Sequence, residues 1–253
     1  MKFLTYNIHR WVGGDGRIDV ERLAAVLRQG KADVLGLQEV VHPLPDGQMP
    51  LVELASWLGM EWVFGPSDES VPCSQGPCRL GNAILSSYPI VSWSNHPLPG
   101  LKRHTRRAVL SARLRLGDNL TITVHATHLD HIWEPARLAQ LATLLPLMAR
   151  RHHEPHWLLG DLNAPSLSGP RTQAIALPVI RRLRAAGYVD AFAMVGRGRG
   201  ATFPARAPFL RLDYLFVARS WADGLRSCHS LDGDLAGWAS DHRPVVASWD
   251  WPA

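Results

Sequence analysis

Seven acidic, amide and imidazole side chains stand where short apolar runs give way to loops. Asn7 ends the first such run, and Glu39 follows Val34–Leu37. Asp161 and Asn163 follow His156–Gly160, Asp213 opens RLDYLFV, and Asp241 and His242 precede the last run in SDHRPVV. Strands packed in sheets bring such junctions together, so residues far apart in the chain can share one site. The chemistry open to them is that of a hard divalent cation: Mg²⁺ takes oxygen ligands, typically one or two carboxylates with water and phosphate oxygens. Glu39 and Asp241 offer the carboxylates, and Asp161 with Asn163 can hold a water. Polar residues cap strand ends in many folds, so one junction alone carries little weight. Five junctions together point to a site.

The elements that must position these residues read as short strands alternating with a few helices. Lys2–Ile8 has the pattern of a buried strand. Val20–Arg28 carries apolar residues at helical spacing behind Asp19, a natural N-cap. Leu51–Leu58, Pro135–Ala149 and Ile175–Ala186 are predicted helices, the second opened by Pro135 and the third stopped by Gly187. Asn82–Ser86 and Ile90–Trp93 around Pro89 read as a hairpin, and so do Val109–Leu116 and Leu120–Ala126 around Gly117-Asp118. Trp157–Leu159, Leu212–Val217 and Val245–Trp249 are further strands. The pattern predicts an α/β fold over residues 1–253 as one domain, with two packed, mostly antiparallel sheets flanked by helices. Long polar stretches at 65–80, 96–107 and 196–211 are predicted loops.

Composition bounds the reading. Of 253 residues, 46% are hydrophobic and 19% charged, which excludes disorder. No apolar run is long enough to span a bilayer, and MKFLTYNI reads as a strand rather than a signal peptide, so the cytoplasm is the expected location. The net charge of +5 permits a polyanionic partner without requiring one. Cys73 and Cys78 in VPCSQGPC read as free thiols, with a loop disulfide as the alternative, and no zinc motif is present. His125 and His128 are three apart in a strand and so face opposite ways, which separates them as ligands of one metal. His152, His153 and His156 read as a solvated cluster.

The segments TYNIH, LQEV, GNAILS, THLD, LLGDLNA, RLDYLFV and SDHRPVV, in that order, resemble the motifs of the endonuclease/exonuclease/phosphatase superfamily across nearly the whole chain. The resemblance implies a four-layer αββα sandwich and hydrolysis of phosphoesters with a divalent metal, Mg²⁺ or Mn²⁺. It implies that Glu39 ligates the metal, that Asn7 helps hold it or its water, and that Asp241 is a further ligand. Asp161 would orient or deprotonate the attacking water, and Asn163, His128 and His242 would contact the phosphate, with Asp213 orienting His242. Arg107 or Arg106 would clamp the anion, and Asn82 would line the site. His9 stands where abasic-site endonucleases carry an acidic residue, which counts against that branch.

The expected function is therefore a metal-dependent phosphodiesterase with nuclease-like activity, its substrate a phosphoester, nucleic acid among the candidates. Phospholipid headgroups and soluble phosphometabolites are the alternative substrates, and a non-catalytic binding module on the same scaffold is the alternative class.

Overall fold

The computed structural model describes residues 1–44, 46–71, 78–100, 106–118, 120–150, 154–167 and 177–251. In chain order the elements are β1 (Lys2–Asn7), α1 (Val20–Gly30), β2 (Val34–His42), α2 (Pro50–Leu58), β3 (Glu61–Val71), β4 (Cys78–Ser86), β5 (Ile90–Leu98), β6 (Arg107–Gly117) and β7 (Leu120–His128). They continue with α3 (Glu134–Ala149), β8 (His156–Leu167), α4 (Pro178–Ala185), β9 (Tyr188–Asp190), α5 (Ala191–Val195), β10 (Leu210–Ala218), β11 (Leu225–Ser230), α6 (Asp234–Ala239) and β12 (Val245–Trp249).

The strands form two six-stranded sheets, ordered β11-β12-β1-β2-β4-β3 and β5-β6-β7-β8-β10-β9. Each sheet is antiparallel except for one central parallel pair, β1 with β2 and β7 with β8. The inner faces meet in a core that includes Phe3, Val34, Leu110, Val124, Trp157, Leu159, Val217 and Trp249. Phe3 stacks on Trp157 with centroids 4.2 Å apart. Gly36 lets the sheets close: a Cβ there would meet the Leu159 Cβ at 2.9 Å. Residues of α1, α2 and α6 cover the outer face of the first sheet, and those of α3 and α4 cover the second. Helix, sheet, sheet and helix make the four expected layers.

Register explains why the junctions converge. In the first sheet the parallel β1–β2 pair sets Asn7 opposite Gln38, one residue before Glu39. In the second, β7 sets His128 opposite Asp161, and β10 sets Asp213 opposite the same Asp161. His128, Asp161 and Asp213 thus form one row across three strands.

Several expectations need correction. The Pro89 turn does not close a hairpin, because β4 belongs to the first sheet and β5 to the second. Turn residues report a reversal of the chain and not which sheet receives the next strand. The 65–80 stretch is largely strand, with β3 running to Val71 and β4 starting at Cys78. The strand before Glu39 does not stop there: β2 passes through a bulge between Leu37 and Val40 and continues to His42. The third long helix begins at Pro178, and the expected residues before Leu177 lie outside the described residues. His156 is buried, with Nδ1 2.8 Å from the Glu154 carbonyl and Nε2 3.0 Å from the Tyr188 hydroxyl, so it is no part of a solvated cluster. His152 and His153 lie outside the described residues. Cys78 is disulfide-bonded, which overturns its free-thiol reading, and Cys73 lies outside the described residues. Among the described residues no helix is long and apolar enough to cross a membrane.

Candidate active site

The ends of β1, β2, β7 and β8 open on a cavity of about 360 Å³ lined by Asn7, Arg10, Glu39, Arg107, His128, His131, Asp161, Asn163, Phe203 and His242, among others. The backbone departs from regular strand where it meets this cavity. Glu39 (φ 55°) sits in the β2 bulge, and Asn163 (φ 46°) lies where β8 loses register with β10. A non-glycine residue at positive φ costs roughly 1–3 kcal/mol, so such positions tend to mark functional sites. The bulge turns Glu39 out of the alternating pattern and toward the site.

Asp161 is at the centre. Its Oδ2 accepts a hydrogen bond from Asn7 Nδ2 at 3.1 Å and lies 3.5 Å from His128 Nε2 and 3.7 Å from His242 Nε2. Its Oδ1 accepts the Asn163 backbone N–H at 2.9 Å. Burial pushes the carboxyl up to about 7, against the opposing pull of His242. His242 Nδ1 donates to Asp213 Oδ2 at 2.8 Å. Burial alone would lower this imidazole, but the Asp213 and Asp161 carboxylates outweigh it and push it up to about 10. His242 is therefore an imidazolium at neutral pH, aimed by Asp213.

His128 is held the other way. Arg107 Nη1 donates to its Nδ1 at 3.0 Å. A guanidinium has no lone pair, so Nδ1 must accept and the ring proton lies on Nε2, facing Asp161. Burial, together with the Arg107 charge, holds His128 well below the usual histidine range, so it is neutral. Arg107 Nη2 also donates to His131 Nδ1 at 3.3 Å. Asn163 Nδ2 donates to the Leu129 carbonyl at 3.1 Å, and its 2.9 Å approach to the protonated His128 Nε2 is a contact of two N–H groups and not a hydrogen bond.

Glu39 Oε1 lies 3.5 Å from Asn7 Nδ2 and 3.8 Å from His128 Nδ1, and Glu39 Oε2 lies 3.5 Å from Arg10 Nε. Glu39 offers carboxylate oxygens there, hard donors that suit a divalent cation, while Asn7 turns its Nδ2 toward Glu39 and Asp161 and its Oδ1 accepts the His9 N–H at 3.0 Å. Asp161, Asp213 and His242 also bring one ligand atom each within 4.8 Å of one another. An imidazolium whose Nδ1 is already committed to Asp213 has no lone pair to give, so the Glu39 carboxylate fits a cation better than that trio does.

Of the sequence-derived residues, Asn7, Glu39, Arg107, His128, Asp161, Asn163 and His242 line the cavity, and Asp213 stands directly behind His242. Asp241 lies at the edge, its side chain 40% exposed and 4.0 Å from His9 Nδ1. Asn82 is buried away from the cavity and donates to the Ala108 carbonyl at 3.0 Å, tying β4 to β6 just beyond Arg107. Arg106 is exposed just before β6. His125 bonds Ser111 Oγ at 2.8 Å, on the other side of β7 from His128. Sequence reasoning missed Arg10, His131 and Phe203, whose ring packs 5.0 Å from that of His242. It also missed Ser240, which donates to the Asn7 carbonyl at 2.7 Å. Their only sequence signal is proximity to a motif, as in TYNIHRW and THLDHIW.

Residues 4–242 match the Endonuclease/Exonuclease/phosphatase family. The chain belongs to this family. It is 30% identical over 264 residues to the uncharacterized protein YbhP of Escherichia coli K12, covering 97% of this chain and 94% of YbhP. Among solved structures, the endonuclease/exonuclease/phosphatase from Beutenbergia cavernae superposes with a TM-score of 0.79 at 23% identity, over 99% of this chain and 71% of that one. The mannosyl-6-phosphatase Bt3783 of Bacteroides thetaiotaomicron superposes with a TM-score of 0.74 at 16% identity, over 99% and 100% of the two chains. Members of the family are phosphoesterases that generally depend on a divalent metal, and these neighbours share the two-sheet sandwich.

Proposed function

We propose that this protein is a divalent-metal-dependent phosphoester hydrolase in which Asp161 activates the attacking water. The observation that carries the reading is the meeting, in one cavity, of a poised carboxylate, a carboxylate-held imidazolium and the separate carboxylate of Glu39. Asp161 is the base: its raised value sits near neutral pH, where a base both exists as carboxylate and retains driving force for the proton. The His242 imidazolium and the Arg107 guanidinium face the charge that builds on the non-bridging oxygens. The Nε2–H of His128 presents a further donor beside Asp161, and Asn163 lines the same cavity. Mg²⁺ or Mn²⁺ held by Glu39, with Asp241 and the Oδ1 of Asn7 as outer candidates, would supply Lewis-acid polarisation of the phosphate and charge neutralisation.

Within this class we favour a phosphodiester substrate and nuclease-like activity. Two exposed aromatics support it: Trp133 is 48% exposed two residues beyond His131, and Phe209 is 55% exposed and bonded through its backbone to Phe203. Aromatic surface beside a cationic phosphate site is the arrangement that stacks nucleobases. We read residues 1–253 as one catalytic domain. The disulfide at Cys78 argues for a more oxidising compartment than the expected cytoplasm.

The test is release of p-nitrophenol from bis-p-nitrophenyl phosphate with Mg²⁺ or Mn²⁺, against EDTA. Activity should require the cation and fall at least about tenfold in Glu39→Gln, as expected when a metal-holding carboxylate is lost. Activity that survives both EDTA and Glu39→Gln contradicts the reading, and a product panel of DNA, RNA and headgroup phosphodiesters then separates the substrates.

A further inference from the structure

One charged side chain at the cavity is presented by an unusual stretch of backbone. His9, Arg10 and Trp11 have φ of 46°, 56° and 71°. Left-handed backbone is ordinarily visited by single residues, and each non-glycine instance costs roughly 1–3 kcal/mol. Three in succession persist only because the surroundings hold them. Trp11 is fully buried and its Nε1 donates to the Val41 carbonyl at 2.9 Å. The His9 N–H donates to Asn7 Oδ1 at 3.0 Å, and the Trp11 and Val12 N–H groups donate to the Ile8 and His9 carbonyls at 3.0 and 2.9 Å. With Trp11 anchored inward, Arg10 faces the cavity beside Glu39.

That contact is loose. Arg10 Nε is 3.5 Å from Glu39 Oε2, and the Arg10 side chain is 54% exposed. A half-exposed pair of this kind contributes about 0–1 kcal/mol, so the guanidinium can leave Glu39 at little cost. The backbone, by contrast, is held firmly. A rigid mount for an exchangeable cation is what a ligand-binding arginine requires.

We propose that Arg10 is a phosphate-binding residue that exchanges Glu39 for a non-bridging oxygen of the substrate when a divalent cation takes Glu39. The inference rests on the phosphoesterase reading. Without the cation, Arg10 shields the Glu39 carboxylate. With Glu39 engaged, the freed guanidinium and Arg107 face the phosphate from the same cavity lining. Cation and phosphate therefore strengthen each other's binding, and by linkage the effect is reciprocal.

The experiment is calorimetric titration of Mn²⁺ with and without inorganic phosphate, on the wild type, Arg10→Gln and Glu39→Gln. Phosphate should tighten Mn²⁺ binding in the wild type. Arg10→Gln should bind Mn²⁺ alone up to about fivefold more tightly, because the competing guanidinium is gone, and should lose most of the coupling. Its KM for bis-p-nitrophenyl phosphate should rise by about tenfold or more, the usual effect of losing a hydrogen bond to a charged group. A merely structural arginine would not tighten the metal while weakening the anion. If Arg10→Gln changes neither affinity, the proposal is overturned, whereas Mn²⁺ binding that still depends on Glu39 leaves the hydrolase reading standing. If the wild type and Glu39→Gln bind Mn²⁺ equally, the metal assignment fails and this proposal with it. Should Arg10→Gln not fold, Arg10→Lys carries the test: a coupling reduced at least twofold supports the proposal, and an unchanged one overturns it.

Discussion

On one wall, Asp161 and Asp213 of the second sheet are 1% exposed, and His242, which reaches them from the loop before β12 of the first sheet, is 5% exposed and bonded to Asp213 at 2.8 Å. On the other wall, the Glu39 and Arg10 side chains are 19% and 54% exposed and meet at 3.5 Å. The buried wall lies in low dielectric, where fixed charges act strongly and need no reorganisation during a reaction. The open wall is wet, and its partners can be exchanged for an incoming cation or anion. One side of the cavity is thus suited to chemistry and the other to binding, and the two are joined by Asn7, which reaches both Asp161 and Glu39.

Substitutions on the buried wall should strike turnover hardest. His242→Ala removes the imidazolium facing the developing charge, and kcat should fall by about 10²–10³-fold with little change in Mn²⁺ affinity. Steady-state kinetics beside a metal titration checks this split, and a comparable loss of metal affinity would erase the distinction between the walls. Asp213→Asn should act through His242. The histidine is required as a cation, and with Asp213 present its charge persists up to about 10. Removing the negative partner lowers that value, so the alkaline limb of the kcat/KM profile should move to lower pH. A limb that does not move would speak against the pairing. The smallest effect is expected away from the cavity: Asn82→Ala deletes one buried hydrogen bond between the sheets, costing about 1 kcal/mol in denaturant unfolding, with kcat changed less than threefold. A larger loss of kcat would place Asn82 in the site itself.

How much of this was legible in the sequence follows from what each signal reports. The apolar runs announce β1, β2, β8, β10 and β12, and the carboxylates at their ends stand out because a charged residue directly after a buried run needs a reason. Period-two alternation and Gly117-Asp118 announce the β6–β7 hairpin, which the register confirms through the pairing of Gly117 with Leu120. The Pro89 turn misleads because a short reversal looks the same whether the chain returns to its own sheet or crosses to the other. Long-range pairing is likewise invisible locally: nothing near Asp161 says that β10 rather than β12 will lie beside it. Arg10 escapes notice because its role depends on three left-handed residues, and neither His, Arg nor Trp advertises positive φ as glycine would. His156 looks solvated beside two other histidines, yet it opens β8, and its side chain, on the face opposite Trp157, is covered by Tyr188.

The central claim is that Asp161 is the group that activates water, positioned by the buried wall and served by the open one. It is tested most directly by the turnover of Asp161→Asn on bis-p-nitrophenyl phosphate at saturating Mn²⁺, with metal affinity and unfolding midpoint measured on the same samples. The account predicts a fall in kcat of about 10²–10⁴-fold while the variant still folds and still binds Mn²⁺. A folded, metal-binding Asp161→Asn that retains more than a tenth of wild-type kcat would contradict it.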